Sequence, residues 1–232
     1  MDERPVALVT GGSRGLGAAI ARALAPTHAL ILGGRESTAL RAVCDELGAR
    51  PWAVELTDDR AVAEAVEGID RLDVLVHSAG VARLGRIADA PPRQWRESFE
   101  VNVTAVAGLT RLLLPALRAA RGHVVLINSG AGLRANAGWG AYAASKFALR
   151  AFADVLRLEE EENGLRVTTV FPGRIATDMQ RGVREHEGGA FEPERYLAPA
   201  SVAGQVLAAV TAPADAHVTE VVIRPASAPG PR

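Results

Sequence analysis

The 232-residue sequence predicts a doubly wound α/β fold: one parallel sheet of about seven strands with helices on both faces. Three observations carry this. Short runs rich in Val, Ile and Leu recur along the chain and are continuous rather than alternating, as strands covered on both faces require. Longer segments rich in Ala, Leu, Arg and Glu lie between them at helical spacing. No Ser- or Pro-rich linker and no internal repeat divides the chain, so residues 1–232 are expected to form a single domain.

The elements follow in order. A strand over 6–10 (VALVT) runs into a glycine-rich turn and a helix over about 15–25. Strands at 29–33 (ALILG) and 51–56 (PWAVEL) alternate with helices over 37–48 and 59–67. The strand at 72–77 (LDVLVH) leads to a long helical stretch over 93–120, and that at 123–128 (HVVLIN) to another over 140–163. Strands at 166–171 (RVTTVF) and 218–223 (VTEVVI) bracket a helix over about 200–211. Right-handed crossovers between parallel strands place these helices on both faces of the sheet. Residues 178–200 are charged and have few strand signals; they are expected to be a mobile segment that covers the substrate. The closing residues PASAPGPR are expected to be a frayed tail.

Composition narrows the function. With 26 basic and 27 acidic side chains the formal charge is −1, which gives no electrostatic case for nucleic acid or an anionic membrane. A small molecule is the expected partner. Cys44 is the single cysteine, so no intrachain disulfide forms, and no Cys/His cluster has zinc spacing. The N-terminal residues do not read as a signal peptide, and no run of about 18 consecutive apolar residues is present. A cytoplasmic protein is expected.

The first strand-to-helix turn reads Thr10-Gly11-Gly12-Ser13-Arg14-Gly15-Leu16-Gly17. In an open α/β sheet this turn is the usual phosphate site, where glycines let the backbone approach a diphosphate and the helix start offers free N–H groups. Glycine turns also serve to pack a helix on a strand, so the turn needs support from elsewhere. The second strand ends in Gly33-Gly34-Arg35, with an arginine where an acid would meet the ribose 2′-hydroxyl of NAD(H). Arg35, with Arg14, therefore points to the 2′-phosphate of NADP(H), with Glu36 as the rival partner for Arg35.

Chemistry enters at Tyr142-Ala-Ala-Ser-Lys146. Residues four apart share a helix face, and an ammonium near a phenol is expected to lower its pKa toward neutrality. Ser129 closes the strand at 123–128, at the carboxyl end where side chains face the cleft.

These motifs together resemble the short-chain dehydrogenase/reductase family, with its Rossmann-type fold. The resemblance rests on TGGSRGLG at 10–17, HSAG at 77–80, NV at 102–103, Ser129, YAASK at 142–146 and PGRIAT at 172–177, in order across nearly the whole chain. It implies reversible hydride transfer between NADP(H) and a carbonyl/alcohol pair. Tyr142 would be the general acid/base and Ser129 would polarise the carbonyl. Lys146 would bind the nicotinamide ribose, and Asn102 would hold a water of a proton relay. Gly11, Ser13, Arg14, Gly15, Leu16 and Gly17 would line the diphosphate, and Glu55 and Leu56 would flank adenine. Ser78, Ala79 and Gly80 would pass beside the cofactor, while Pro172, Gly173, Ile175 and Thr177 would form its nicotinamide end.

A homodimer or homotetramer is also implied. Two positions depart from the family pattern: His77-Ser78 stands where two asparagines are usual, and Glu55 where Asp is usual. His77 is expected to be a structural substitute rather than a base. The alternative is a non-enzymatic NADP(H)-binding sensor, which would not need the Ser129–Tyr142–Lys146 set.

Overall fold

The computed structural model describes residues 4–226. Seven parallel strands form one sheet in the order β3-β2-β1-β4-β5-β6-β7: β1 (Val6–Val9), β2 (Ala29–Gly34), β3 (Arg50–Ala53), β4 (Val74–His77), β5 (His123–Ile127), β6 (Arg166–Pro172) and β7 (Glu220–Ile223). The chain winds outward from β1 in one direction and resumes from β4 in the other, so the topological switch lies between β1 and β4.

Eight α-helices cover the sheet: α1 (Gly15–Leu24), α2 (Thr38–Leu47), α3 (Asp59–Ala65), α4 (Pro92–Phe99), α5 (Ala105–Ala120), α6 (Gly140–Glu160), α7 (Asp178–His186) and α8 (Pro199–Val210). Alternate strand residues feed opposite cores, as pleating requires. Val9, Leu32, Val76 and Val170 join α1, α2 and α8 on one face; Leu8, Leu75, Val124 and Val167 join α5 and α6 on the other. A smaller cluster of Leu84, Ala131, Tyr142, Ala143 and Val183 forms apart from both.

Several boundaries differ from the sequence reading. The third strand ends at Ala53, which leaves Glu55 and Leu56 in the following loop. The helical stretch from residue 92 to 120 is interrupted by a π-helical turn at Glu100–Thr104. By length and composition this run could cross a membrane, but its Val106, Leu109, Leu113 and Leu117 are core residues, as in the core helix of a globular fold. The segment 178–200 contains a helix that its composition did not announce. The PASAPGPR tail lies largely outside the described residues.

The carboxyl ends of α5 and α6 are tied by a buried acid. Glu160, 3% exposed, accepts a bidentate pair from Arg118 at 2.8 and 2.6 Å and a further bond from Asn163 at 2.9 Å. These donors hold its carboxyl below the usual range, with Arg118 the largest influence.

Candidate active site

The switch between β1 and β4 is stitched by one hydroxyl. Thr10 Oγ1 accepts from the backbone N–H groups of Ser78 and Ala79, both at 3.1 Å, and donates to Val76 O at 3.3 Å. Gly11 packs straight onto this seam: it adopts φ +68°, and a Cβ there would lie 2.9 Å from Ala79 N. A Cβ on Gly17 would lie 2.1 Å from Gly11 O, so the turn folds flat against the first turn of α1 only without one. Two of the glycines thus serve protein packing, and it is the opened surface of the turn that faces outward. The start of α1 has no side-chain cap, because Arg14 occupies the N-cap position and its guanidinium offers no acceptor to the free N–H groups. Ser13 and Leu16 are half-buried, and Gly15 is exposed.

The two arginines differ. Arg14 makes a loose 3.9 Å ion pair with Asp178, both well exposed. Arg35 is exposed at the tip of β2. Its rival partner is otherwise engaged, since Glu36 pairs with Arg41 at 2.7 Å. The carboxylate of exposed Glu55 accepts from Thr57 Oγ1 at 3.3 Å, and its backbone carbonyl from Asp58 N at 3.0 Å.

Ser129, Tyr142 and Lys146 converge beyond the carboxyl ends of β4 and β5. Ser129 caps a short 3₁₀ turn at Gly130–Gly132, accepting from Ala131 N at 3.1 Å. Its hydroxyl also hydrogen-bonds the Tyr142 phenol. Tyr142 is 8% exposed and leans against Trp139, ring centroids 5.7 Å apart. Lys146 is buried one turn further along α6, where Nζ donates to Ile127 O at 3.0 Å and sits 5.9 Å from the Tyr142 ring centroid. Burial pulls its pKa down to about 8. It is the only lysine in the sequence; every other basic side chain of that class is arginine.

The expected lowering of the phenol is corrected here. Burial pushes the Tyr142 pKa up, and the Ser129 bond offsets only part of the rise. Shared helix face did bring tyrosine and lysine together, but desolvation outweighs an ammonium at this distance.

Asn102 projects inward from the π-helical turn, 1% exposed. Its Oδ1 accepts from Val81 N at 2.9 Å, and its Nδ2 donates to Val81 O at 2.9 Å and to Ser145 Oγ at 3.0 Å. Both amide hydrogens are therefore committed to protein, and Asn102 fixes the loop after Gly80 to α6. Ser145 in turn donates to Tyr142 O at 2.7 Å. Thr10 and Ser145 lie within the motifs read from the sequence, but the sequence assigned neither of them a role. His77 is sealed in the core, its Nε2 at 2.9 Å from Thr110 Oγ1, and burial drives its pKa to about 3. Thr110 gives its own hydrogen to Val106 O at 2.8 Å, so Nε2 of a neutral His77 is the donor.

The segment 172–177 closes the far side. Pro172 ends β6, Gly173 N donates to Ile223 O at 2.8 Å, and Ile175 bridges Leu197. Thr177 caps α7 by accepting from Gln180 N at 3.3 Å, and its Cγ2 lies 3.6 Å from where a Cβ on Gly15 would be. The start of α7 therefore rests on the glycine turn. Its end is held by Glu187, which takes two bonds from Arg174 at 2.9 and 2.8 Å and one from Arg184 at 2.6 Å. Arg174 also lies 5.9 Å over the Trp139 ring. A separate cavity of about 370 Å³, lined by Arg157, Leu158, Arg166 and His217 among others, opens at the amino ends of β6 and β7 and includes none of Ser129, Tyr142 and Lys146.

The profile of the family described as short chain dehydrogenase matches residues 5–188. The chain is 35% identical over 239 residues to glycine betaine reductase ATRR of Emericella nidulans, covering 97% of this chain but only 19% of that protein's length. It is 33% identical over 193 residues to the 3-oxoacyl-[acyl-carrier-protein] reductase FabG of Escherichia coli, covering 80% of this chain and 79% of that protein. Among solved structures, a metagenomic short-chain oxidoreductase in complex with NADP superposes with a TM-score of 0.82 at 32% identity, covering 96% of this chain and 97% of the other.

Proposed function

The chain belongs to the short-chain dehydrogenase family of oxidoreductases, and on that premise we propose that it is an NADP(H)-dependent carbonyl reductase or alcohol dehydrogenase acting on a small molecule. The observation that carries this reading is the cluster of half-buried Ser129 with buried Tyr142 and Lys146 beside the glycine turn.

The chain's own residues fit the cofactor. The uncapped start of α1 and the backbone of Gly11 to Gly17 suit a diphosphate, and Arg35, which pairs with no acid among the described residues, suits a 2′-phosphate. Ser78, Ala79 and Gly80 flank the same cleft, and Pro172, Gly173, Ile175 and Thr177 border its inner end, with Glu55 and Leu56 at the outer one. When bound, NADP(H) supplies or accepts the hydride. Tyr142 gives its phenolic proton to the carbonyl oxygen, and Ser129 holds that oxygen through a hydrogen bond. Lys146 stabilises the tyrosinate left behind and meets the ribose. Asn102 positions Gly80 and α6 around them. Burial raises the pKa of the phenol, so Tyr142 carries a proton that it can donate to a carbonyl oxygen.

We read the chain as one domain, with 178–200 covering the substrate, in a cytoplasmic homodimer or homotetramer. Phe147, Val155 and Leu158 on the outer side of α6 are apolar and exposed, which supports assembly.

The test is NADPH oxidation across chemically diverse aldehydes and ketones, with Tyr142→Phe beside the wild type. The variant keeps the ring packing but lacks the proton, so turnover is expected to fall at least about 100-fold with NADPH affinity unchanged. Full activity in Tyr142→Phe refutes the mechanism; a wild type that binds NADPH but reduces nothing favours a sensor.

A further inference from the structure

Arg174 stands just past the end of β6, and three contacts meet on it. Its backbone O accepts from Leu197 N at 2.9 Å, and Ala176 N donates to Leu197 O at 2.9 Å, so the chain that leaves the sheet here is stitched to the chain that returns toward α8. Its guanidinium reaches the end of α7 through the bidentate pair with Glu187 at 2.9 and 2.8 Å. The same guanidinium lies 5.9 Å from the Trp139 ring centroid, and the Trp139 ring lies 5.7 Å from that of Tyr142. One side chain therefore touches both the far end of α7 and the ring against which the phenol leans.

The pair is more than a loose surface contact. The two side chains are 35% and 19% exposed, and Glu187 takes a further bond from Arg184 at 2.6 Å. Arg184 in turn donates from Nε to Ala190 O at 3.1 Å, and its guanidinium fills the space where a Cβ on Gly189 would stand. A planar fork can pair with a carboxylate along its edge and lie over an aromatic ring with its face, which a lysine ammonium cannot reproduce. The backbone around Trp139 is already fixed, since Gly85 N donates to Gly138 O and Ala143 N to Trp139 O, both at 2.7 Å. What remains to be set is the ring. Val183 adds a second link, because it packs from α7 into the cluster that holds Tyr142.

We propose that Arg174 is a positioning residue: through Glu187 it latches α7 to the Trp139 ring that backs Tyr142, so that the covering segment and the seat of the phenol loosen or tighten together. This rests on the proposed acid role of Tyr142. The latch predicts that a cut made at the exposed end of α7 is felt at the buried phenol.

The experiment uses the full chain without ligand. Tyr142 and Tyr196 are the two tyrosines of the sequence, so in a Tyr196→Phe background the phenolate absorbance reports Tyr142 alone. Arg174→Met, Glu187→Gln, the two together and Arg174→Lys are compared in that background. Hydrogen exchange of residues 184–197 is followed by mass spectrometry at neutral pH, and phenolate absorbance is followed against pH with circular dichroism confirming the fold at each point. Burial holds the phenol above its ordinary value, so the background midpoint is expected above 10. Arg174→Met and Glu187→Gln are each expected to speed exchange about tenfold and to bring the midpoint down toward 10 as water reaches the ring. Loss of a nearby cation would move the midpoint the other way, and Glu187→Gln keeps that cation. Arg174→Lys, with the charge but not the fork, is expected to fall between, and the double variant to go no further than either single one. Should Arg174→Met fail to fold, Glu187→Gln and Arg174→Lys carry the same comparison. Unchanged exchange overturns the latch. Faster exchange with an unmoved midpoint, additive effects in the double variant, or a background midpoint already at 10 overturns the positioning role. All of these leave the proposed function standing; a fully active Tyr142→Phe overturns that function instead, and the positioning role falls with it.

Discussion

Lys146 carries its charge in a place that resists it, and this can be measured on one atom. Lys146 is 5% exposed, and among the described residues its ammonium donates to Ile127 O. The distance from 10.5 to about 8 corresponds to about 3 kcal/mol, at about 1.4 kcal/mol per pH unit. Below pH 8 both native and unfolded chains hold the proton, and the native state bears the full desolvation cost. Between pH 8 and 10.5 the unfolded chain keeps a proton that the native state has released, so stability rises with pH across that window. Because the sequence has one lysine, protein grown on isotope-labelled lysine gives a single side-chain NMR signal, and its titration midpoint is expected near 8 in the cofactor-free state. Lys146→Met removes the charge at similar volume. It forfeits about 1 kcal/mol of hydrogen bonding, which leaves a net gain of about 2 kcal/mol at neutral pH, or roughly 4–8 °C in melting temperature for a chain of this size. A midpoint at or above 10, or a destabilised Lys146→Met, refutes the claim that burial dominates at this site.

Three further outcomes are expected. Arg35→Ala should weaken NADPH binding by about 10- to 150-fold, the worth of a charge-assisted bond of about 1.5–3 kcal/mol, and leave NADH binding nearly unchanged; titration of both cofactors decides it. Glu160→Gln should lose about 1.5–3 kcal/mol in denaturant unfolding at neutral pH, because Arg118 and Asn163 lose a charged acceptor. Since the native carboxyl is held low, that contribution is present above the unfolded value of about 4.3 and disappears as pH falls through the native one, so wild type and variant should converge in acid. Sedimentation at micromolar concentration should give a dimer or tetramer; a single species at 24.3 kDa counts against assembly.

What the sequence disclosed depended on whether the cause was local. Continuous apolar runs such as VALV and HVVLI form strands because both faces of the sheet are covered, and that pattern is written residue by residue. The glycine turn was equally plain, though the contacts of Gly11 and Gly17 show that part of its glycine content serves the protein itself. Tyr142 and Lys146 were legible as a pair through their spacing, whereas the phenol's pKa was not, because burial is a property of the assembled fold. The helix α7 was missed for its charge: only Gln180 and Val183 turn inward. Its start was nonetheless marked, since Thr177-Asp178-Met179-Gln180 has the threonine and glutamine spacing of a capping box. The pairing of Glu36 with Arg41 rather than Arg35 depended on a choice between side chains of equal charge, which sequence alone does not make.

The π-helical turn at Glu100–Thr104 can also be regarded as a phase shift. Ala105 N closes onto Glu100 O, five residues back, so the turn holds one residue more than an α-helix would. Each residue of an α-helix advances the azimuth by about 100°, so this single extra residue sets the angle between the faces that α4 and α5 present. Asn102 lies inside the shift. Removing one residue from the turn would let the two helices fuse into a regular rod, but α5 could then keep Leu109, Leu113 and Leu117 in the core only by rotating α4, and with it Gln94 and Ser98, out of register with the loop that Gln94 holds through Leu84 O. The inward aim of Asn102 and the seating of that loop are thus coupled through chain length rather than through any one contact, so a one-residue deletion here would be felt at the catalytic helix even with every named side chain still present.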